Sequence, residues 1–129
     1  MKAFTDIEQS KKLAEILPLE SADMYYFTII RDYPYSQGKN KAIAKIMDGS
    51  FSSDYDTPAW SLAALLQIIP KDIEGLNRLR IDIDNVDFSI WYDDLKGYGV
   101  NDKLPDITLK EPIDACYEMV LKLHESKLL

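Results

Sequence analysis

The strongest constraint on the fold is an apolar segment between Pro58 and Pro70, in which only two residues are polar. Thr57 suits a helix N-cap, and Pro58 would then occupy the first helical position, where its missing N–H costs nothing. Pro70 cannot continue the hydrogen-bond ladder and ends the helix. A helix that is apolar on nearly all sides is normally buried on more than one face. The sequence therefore predicts a core helix over residues 57–69.

Two further helices are predicted over residues 6–17 and 111–127. Each has an apolar stripe at helical spacing, and Pro18 ends the first of them. Each also begins with the spacing of a capping box, in which a Ser or Thr and a Glu three residues later satisfy each other's N–H groups. The predicted capping pairs are Thr5 with Glu8 and Thr108 with Glu111.

A β-hairpin is predicted over residues 79–93, because its first half alternates between apolar and polar residues with a period of two. Pairing Ile83 with Phe88 gives a consistent register in which all apolar residues share one face. The remaining predicted pairs are Ile81 with Ile90, Leu79 with Tyr92, Arg80 with Trp91, and Asp82 with Ser89. The Arg80 pair could form a cation–π contact. We expect the apolar face to lie on the core helix.

The middle of the chain is less regular. Residues 23–31 are rich in aromatic and β-branched side chains, which favours a strand, although Ser21 could also cap a short helix. Residues 39–47 have apolar side chains at helical spacing and are interpreted as a short helix that ends before Gly49. Residues 94–107 are interpreted as a long loop that could contain a third strand.

Together these elements predict a single α+β domain over residues 1–129. Its small antiparallel sheet is built on the hairpin, with strand 23–31 as an optional further strand, and packs on helices 57–69 and 111–127. Helix 6–17 closes the core. The chain has no secretory signal pattern, and its longest apolar segment is shorter than the roughly 20 residues that span a bilayer. The single cysteine fits a reducing compartment. We therefore expect a cytoplasmic protein.

The sequence contains no recognisable catalytic motif. Cys116 and His124 are its only thiol and imidazole. Eight residues apart on one helix, they would lie about 12 Å apart along the axis, whereas a nucleophile and its base need hydrogen-bond contact. One Cys and one His also cannot form a structural zinc site within the chain. We expect neither a catalytic residue nor a metal nor a cofactor.

Negative charge is concentrated in residues 82–114, which hold nine acidic and three basic side chains of a chain with net charge −7. This balance disfavours direct nucleic-acid binding, which needs a basic face. It permits a basic protein partner, which is our leading hypothesis. The predicted binding residues are Asp82, Asp84, Asp87, Trp91, Asp93, Asp94 and Tyr98.

Three alternatives remain open at this point. The acidic side chains could only keep the protein soluble, they could imitate the phosphates of DNA, or they could hold a divalent metal in a small enzyme or small-molecule binder. The oligomeric state is also open, since Trp60 or Trp91 could belong to an interface between copies.

Three apolar segments carry a resemblance to a known group. They are residues 12–18, residues 58–66 with the proline that follows at position 70, and residues 112–125. In these segments the chain resembles a group of short proteins encoded by phages and mobile elements of gut bacteria. The group has no assigned activity, so the resemblance implies an accessory protein and assigns no functional residue.

Overall fold

The computed structural model describes residues 1–29, 41–94 and 104–129, and these contain three α-helices and two antiparallel sheets. The predicted α+β class is confirmed. The helices are α1 (Ile7–Ala14), α2 (Leu62–Ile68) and α3 (Pro112–Glu125). The strands are β1 (Met24–Ile29), β2 (Lys41–Ile46), β3 (Thr57–Ala59), β4 (Asp72–Ile73), β5 (Asn77–Ile83), β6 (Phe88–Asp94) and β7 (Ile107–Leu109).

The larger sheet is built on the predicted hairpin and has the strand order β4-β5-β6-β7. All of its neighbouring strands are antiparallel. The hairpin register is the predicted one, with Ile83 opposite Phe88 and Ile81 opposite Ile90. Most of the loop predicted over residues 94–107, where a third strand was thought possible, lies outside the described residues; the sheet gains strand β7 from Ile107 onward, at the end of that range.

The smaller sheet has the order β2-β1-β3. Residues 24–29 form the predicted strand, but it belongs to this separate sheet and not to the sheet of the hairpin. The helix predicted over residues 39–47 is wrong, because Lys41–Ile46 is a strand that pairs along its whole length with β1. Pairing with a neighbouring strand therefore overrides the helical spacing of the apolar residues. A contact between the two strands adds to this pairing, since the Lys45 ammonium lies 5.0 Å from the centre of the Phe27 ring.

The core helix begins four residues later than predicted. Thr57–Ala59 is strand β3, in which Pro58 lies opposite Tyr25 of β1. A proline is tolerated there because β3 is an edge strand of its sheet. The N-cap is Ser61, whose hydroxyl accepts a hydrogen bond from Ala64 N at 3.2 Å. The predicted end is confirmed, since α2 stops at Ile68, two residues before Pro70.

The first helix is capped one residue later than predicted. Asp6 and Gln9 form its capping box, so the predicted pair of Thr5 with Glu8 is wrong. The reason is that Thr5 is fully buried and has other partners. Its hydroxyl accepts from Trp60 N at 3.1 Å and bonds the Ser10 hydroxyl at 2.7 Å, which ties the start of the chain to the core.

The last helix has no side-chain N-cap, although a capping box of Thr108 with Glu111 was predicted. Glu111 instead accepts a hydrogen bond from Lys2 N at 2.9 Å, and Thr108 bonds the Ser89 hydroxyl across the sheet at 2.9 Å. Both predicted capping side chains therefore serve contacts that are distant in sequence.

The core lies between α3 and one face of the larger sheet, with α2 beside α3. Its fully buried side chains come from all three helices, from β6 and from the residues that flank α2; the largest include Trp60, Leu13, Leu65, Ile90, Ile113, Met119 and Leu123. Trp60 donates from its ring nitrogen to the Ser21 hydroxyl at 3.0 Å. Because its side chain is completely buried, Trp60 cannot be the interface residue that the sequence left possible. None of the helices in the described ranges has the length and apolarity that crossing a bilayer requires.

Candidate functional site

The thiol and the imidazole are not arranged for catalysis. Cys116 is completely buried in the core, and this burial raises the pKa of its thiol to about 12. A thiol in such an environment is a poor nucleophile, because the thiolate is the reactive form. His124 lies exposed near the end of the same helix. In the described ranges there is also no group of three or more His, Cys, Asp or Glu side chains that could hold a metal ion.

The carboxylate of Asp84 builds the turn of the hairpin. Its Oδ1 accepts hydrogen bonds from Asp87 N at 2.6 Å and from Val86 N at 2.7 Å. Both backbone donors lower the pKa of Asp84 below its usual value of 3.8, and the Asp87 N–H has the larger effect. Side chains of this type form local turns by bonding the backbone two or three residues ahead. Asp84 is therefore already engaged within the hairpin.

On the outer face of the sheet, away from the core, Asp93 is engaged as well. Its carboxylate accepts from Arg80 Nε at 3.0 Å and from the ring nitrogen of Trp91 at 3.4 Å. The Arg80 guanidinium is thus held by Asp93 and not by the Trp91 ring, in contrast to the predicted cation–π contact. Both side chains of the ion pair are about half exposed, so it contributes little to stability.

The structure divides the predicted acidic site among three places. By the strand alternation, Asp82 and Asp93 lie on the outer face, whereas Asp94 lies opposite Asn77 on the core side. Asp84 and Asp87 lie in the turn. Trp91 is half-buried on the outer face, and Tyr98 lies outside the described residues.

Two arginines interrupt the acidic side chains of the outer face. Arg78 and Arg80 precede Asp82 on the same side of β5, and Arg78 lies opposite Asp93. Both arginines precede residue 82, so the count of charges over residues 82–114 omits them. The hairpin nevertheless places them next to the acidic residues of that segment. The carboxylates therefore form no continuous row of the kind that imitation of a DNA strand would require.

The feature that the sequence did not reveal is the exposure of the apolar face of β5. Ile81 is 40% exposed and Ile83 is 71% exposed, whereas Ile90 and Phe88, directly opposite on β6, are 0% and 2% exposed. The expectation that all six apolar residues of the hairpin lie in the core is therefore wrong for Ile81 and Ile83, whereas Leu79 is partly buried against the core. The cause is the position of α3, which packs mainly on β6 and β7 rather than on β5.

A cavity of about 490 Å³ lies beside the first half of β5. Its apolar lining is Leu66 from α2 with Leu79 and Ile81 from β5. Lys71, Asp72 and Arg78 also border it, but the lining is almost entirely apolar. An apolar recess of this kind is typical of surfaces that receive another molecule.

The backbone edge of β5 next to this cavity is open over its second half. Leu79 N donates to Lys71 O at 2.9 Å, so the segment that forms β4 covers the edge as far as Leu79. Backbone groups alternate in direction along a strand, so those of Ile81 and Ile83 also point away from β6. Within the described residues no strand pairs with this part of the edge. We term Leu79, Ile81, Ile83, this open edge and the adjoining cavity the hairpin surface.

Comparison of the chain with protein-family models, with curated proteins and with solved structures gave no match. The assignment of a binding surface therefore rests on the geometry of this chain alone.

Proposed function

We propose that this protein is a non-catalytic interaction domain that binds another polypeptide through the hairpin surface. The observation that carries the proposal is the exposure of Ile81 and Ile83 on the apolar side of β5, whose edge beyond Leu79 pairs with no strand in the described ranges. Water contact with side chains of this size is unfavourable, by about 25 cal/mol for each Å² of apolar surface. A partner that covered them would recover this free energy.

The mode of binding that fits this geometry is the addition of a strand to the sheet. An extended segment at an open edge gains backbone hydrogen bonds, and alternate side chains of that segment meet the apolar side of the sheet. The neighbouring cavity would receive one such side chain. The acidic residues of the turn, Asp84 and Asp87, favour a partner with basic residues near that end. The resemblance noted above supports an accessory role in a phage or mobile element.

Site-specific photo-crosslinking tests the proposal. The photoreactive residue p-benzoylphenylalanine is introduced at Ile83 in one variant and at Tyr55 in another, since these side chains are 71% and 70% exposed. Tyr55 lies in the segment between β2 and β3, which belong to the smaller sheet, and serves as the matched control. After irradiation in cells that produce the protein, we expect polypeptide adducts with the variant at position 83 only. A folded variant that gives no adduct at position 83 contradicts the proposal.

A second comparison tests the contribution of charge. Asp87 is replaced by Asn, whereas Asp84 and Asp93 are kept because they hold the turn and the ion pair with Arg80. If the partner is basic, the yield of adduct from position 83 should fall in this variant. An unchanged yield would show that the Asp87 carboxylate takes no part in binding.

A further inference from the structure

We propose that the strand received by the hairpin surface is β5 of a second copy of this chain, so that two copies form an antiparallel pair about a twofold axis at Asp82. This inference rests on the proposed function, because it names the partner of the same surface. In the resulting dimer the two four-stranded sheets would join edge to edge into one continuous sheet.

The length of the open edge determines the register. Lys71 O already accepts from Leu79 N, so a second strand can pair only from Arg80 to the turn at Asp84. The centre of this stretch is Asp82. A copy related by a twofold axis at Asp82 uses the whole stretch and leaves β4 in place, whereas an axis at Ile81 would bring Ile83 of the second copy against the Lys71 position.

In this register the free backbone groups satisfy each other. Ile81 of each copy lies opposite Ile83 of the other, and the N–H and C=O groups of both residues point outward from the edge. Antiparallel residues in this relation exchange two hydrogen bonds. The isoleucine side chains of both copies then lie side by side on the core side of the sheet, next to the cavity lined by Leu66 and Leu79. Each copy thereby covers the exposed isoleucine side chains of the other.

The charges of the chain are complementary in the antiparallel arrangement. Asp84 and Asp87 lie at the turn end of β5, and Arg78 and Arg80 lie toward its other end. Reversing the second strand places the acidic end of each copy beside the basic end of the other, with Arg80 opposite Asp84. The basic partner that the acidic turn favours is therefore present on the same chain, which is the observation that selects a second copy over an unrelated segment.

One contact in this arrangement is unfavourable, and its removal distinguishes the dimer from a complex with another protein. The two Asp82 carboxylates face each other across the axis, and like charges directly opposite in a sheet destabilise the pair. Replacing Asp82 by Asn removes the repulsion and should lower the dimer dissociation constant by about two- to fivefold. A basic foreign partner would respond in the opposite direction, since the same substitution would remove an attraction.

Disulfide trapping tests the register. Across the proposed interface the Asp82 positions form a non-hydrogen-bonded pair with Cα atoms about 4.5 Å apart, within the range that a disulfide spans. We expect Asp82→Cys to form a disulfide-linked dimer in a glutathione redox buffer. The native Cys116 is buried and should not interfere. The dimer should run at twice the 14.8 kDa of the chain on a non-reducing gel.

Two cysteine variants serve as controls. Arg80→Cys lies on the same face of the same strand, but its two copies would be offset by four residues, about 13 Å along the strand. Tyr55→Cys introduces a thiol at an exposed position between two strands of the smaller sheet. Cross-linking of Asp82→Cys alone supports the proposal, and equal cross-linking of Arg80→Cys overturns the register.

The two proposals fail in distinguishable ways. If Asp82→Cys forms no disulfide dimer and the wild type sediments as a monomer, the second copy is refuted as the partner. Adducts from position 83 with a different protein would then keep the interaction function and refute only the dimer. The absence of any adduct from position 83 refutes both.

Discussion

Replacing Ile90 or Ile83 by alanine compares two identical side chains on the same face of the same hairpin. Ile90 is completely buried, and Ile83 is 71% exposed. Each substitution removes about three carbon groups, and each buried group contributes about 0.8 kcal/mol. For Ile90 this amounts to about 2.4 kcal/mol, to which the remaining cavity adds, so we expect a loss of about 3–4 kcal/mol in the free energy of unfolding.

For Ile83 only about three-tenths of the side chain is removed from solvent in the single chain. The same calculation gives a loss of about 0.7 kcal/mol. In a domain of this size the two variants should therefore melt roughly 10 °C apart, with Ile90→Ala the lower. The lower strand propensity of alanine applies to both positions and does not remove the difference.

The assay is urea unfolding followed by tryptophan fluorescence at submicromolar protein concentration, where association contributes least. The slope of the transition should stay unchanged, so the midpoints report stability. If Ile83→Ala destabilises the protein as much as Ile90→Ala under these conditions, β5 is covered within the single chain and the hairpin surface does not exist. At high concentration the cost of Ile83→Ala should increase, because a second copy stabilises the folded state by mass action.

Three further predictions concern the core and the turns. Ser61→Ala removes the N-cap of α2 and the hydroxyl that donates to Asp23, and should lower the free energy of unfolding by about 1–2 kcal/mol in urea titrations. The Cys116 thiol should react with a thiol reagent only as fast as the chain opens, whereas rapid labelling of the native protein would contradict its burial. The lowered pKa of Asp84 gives stability that is present above pH about 4 and is lost as the pH falls through the folded-state value. Asp84→Asn should therefore flatten the decrease in melting temperature below pH 4, and an unchanged slope would refute this role of the carboxylate.

The sequence pattern alone predicted an element correctly where few other structures fitted the same residues. The hairpin register followed from one alternating strand, because a shift by one residue would have moved every apolar side chain to the wrong face. Helix α3 was also predicted, within two residues at its C-terminal end, because its stripe of buried residues follows a helical period over its whole length. In both elements the local preference and the final packing agree.

The errors arise where distant partners decide between local options. Thr57 and Ser61 are both good N-caps, and the pairing of residues 57–59 with β1 selects Ser61. Residues 41–46 satisfy a helical pattern, and pairing with β1 makes them a strand. For the hairpin surface, the alternation identifies the apolar face of β5, but only the position of α3 shows that the helix covers the neighbouring strand instead.

The contacts of the first residues also have a consequence for how the chain folds during synthesis. Lys2 binds Glu111 and Asp114, which lie 109 and 112 positions further along the chain. The Thr5 hydroxyl likewise can accept its hydrogen bond from Trp60 N only after residue 60 has been synthesised. This segment is synthesised before its partners and can therefore dock only after residues 60 and 111–114 have emerged from the ribosome. Contacts that close such long loops slow folding, so the nascent chain passes through a period in which this segment is accessible to chaperones and proteases.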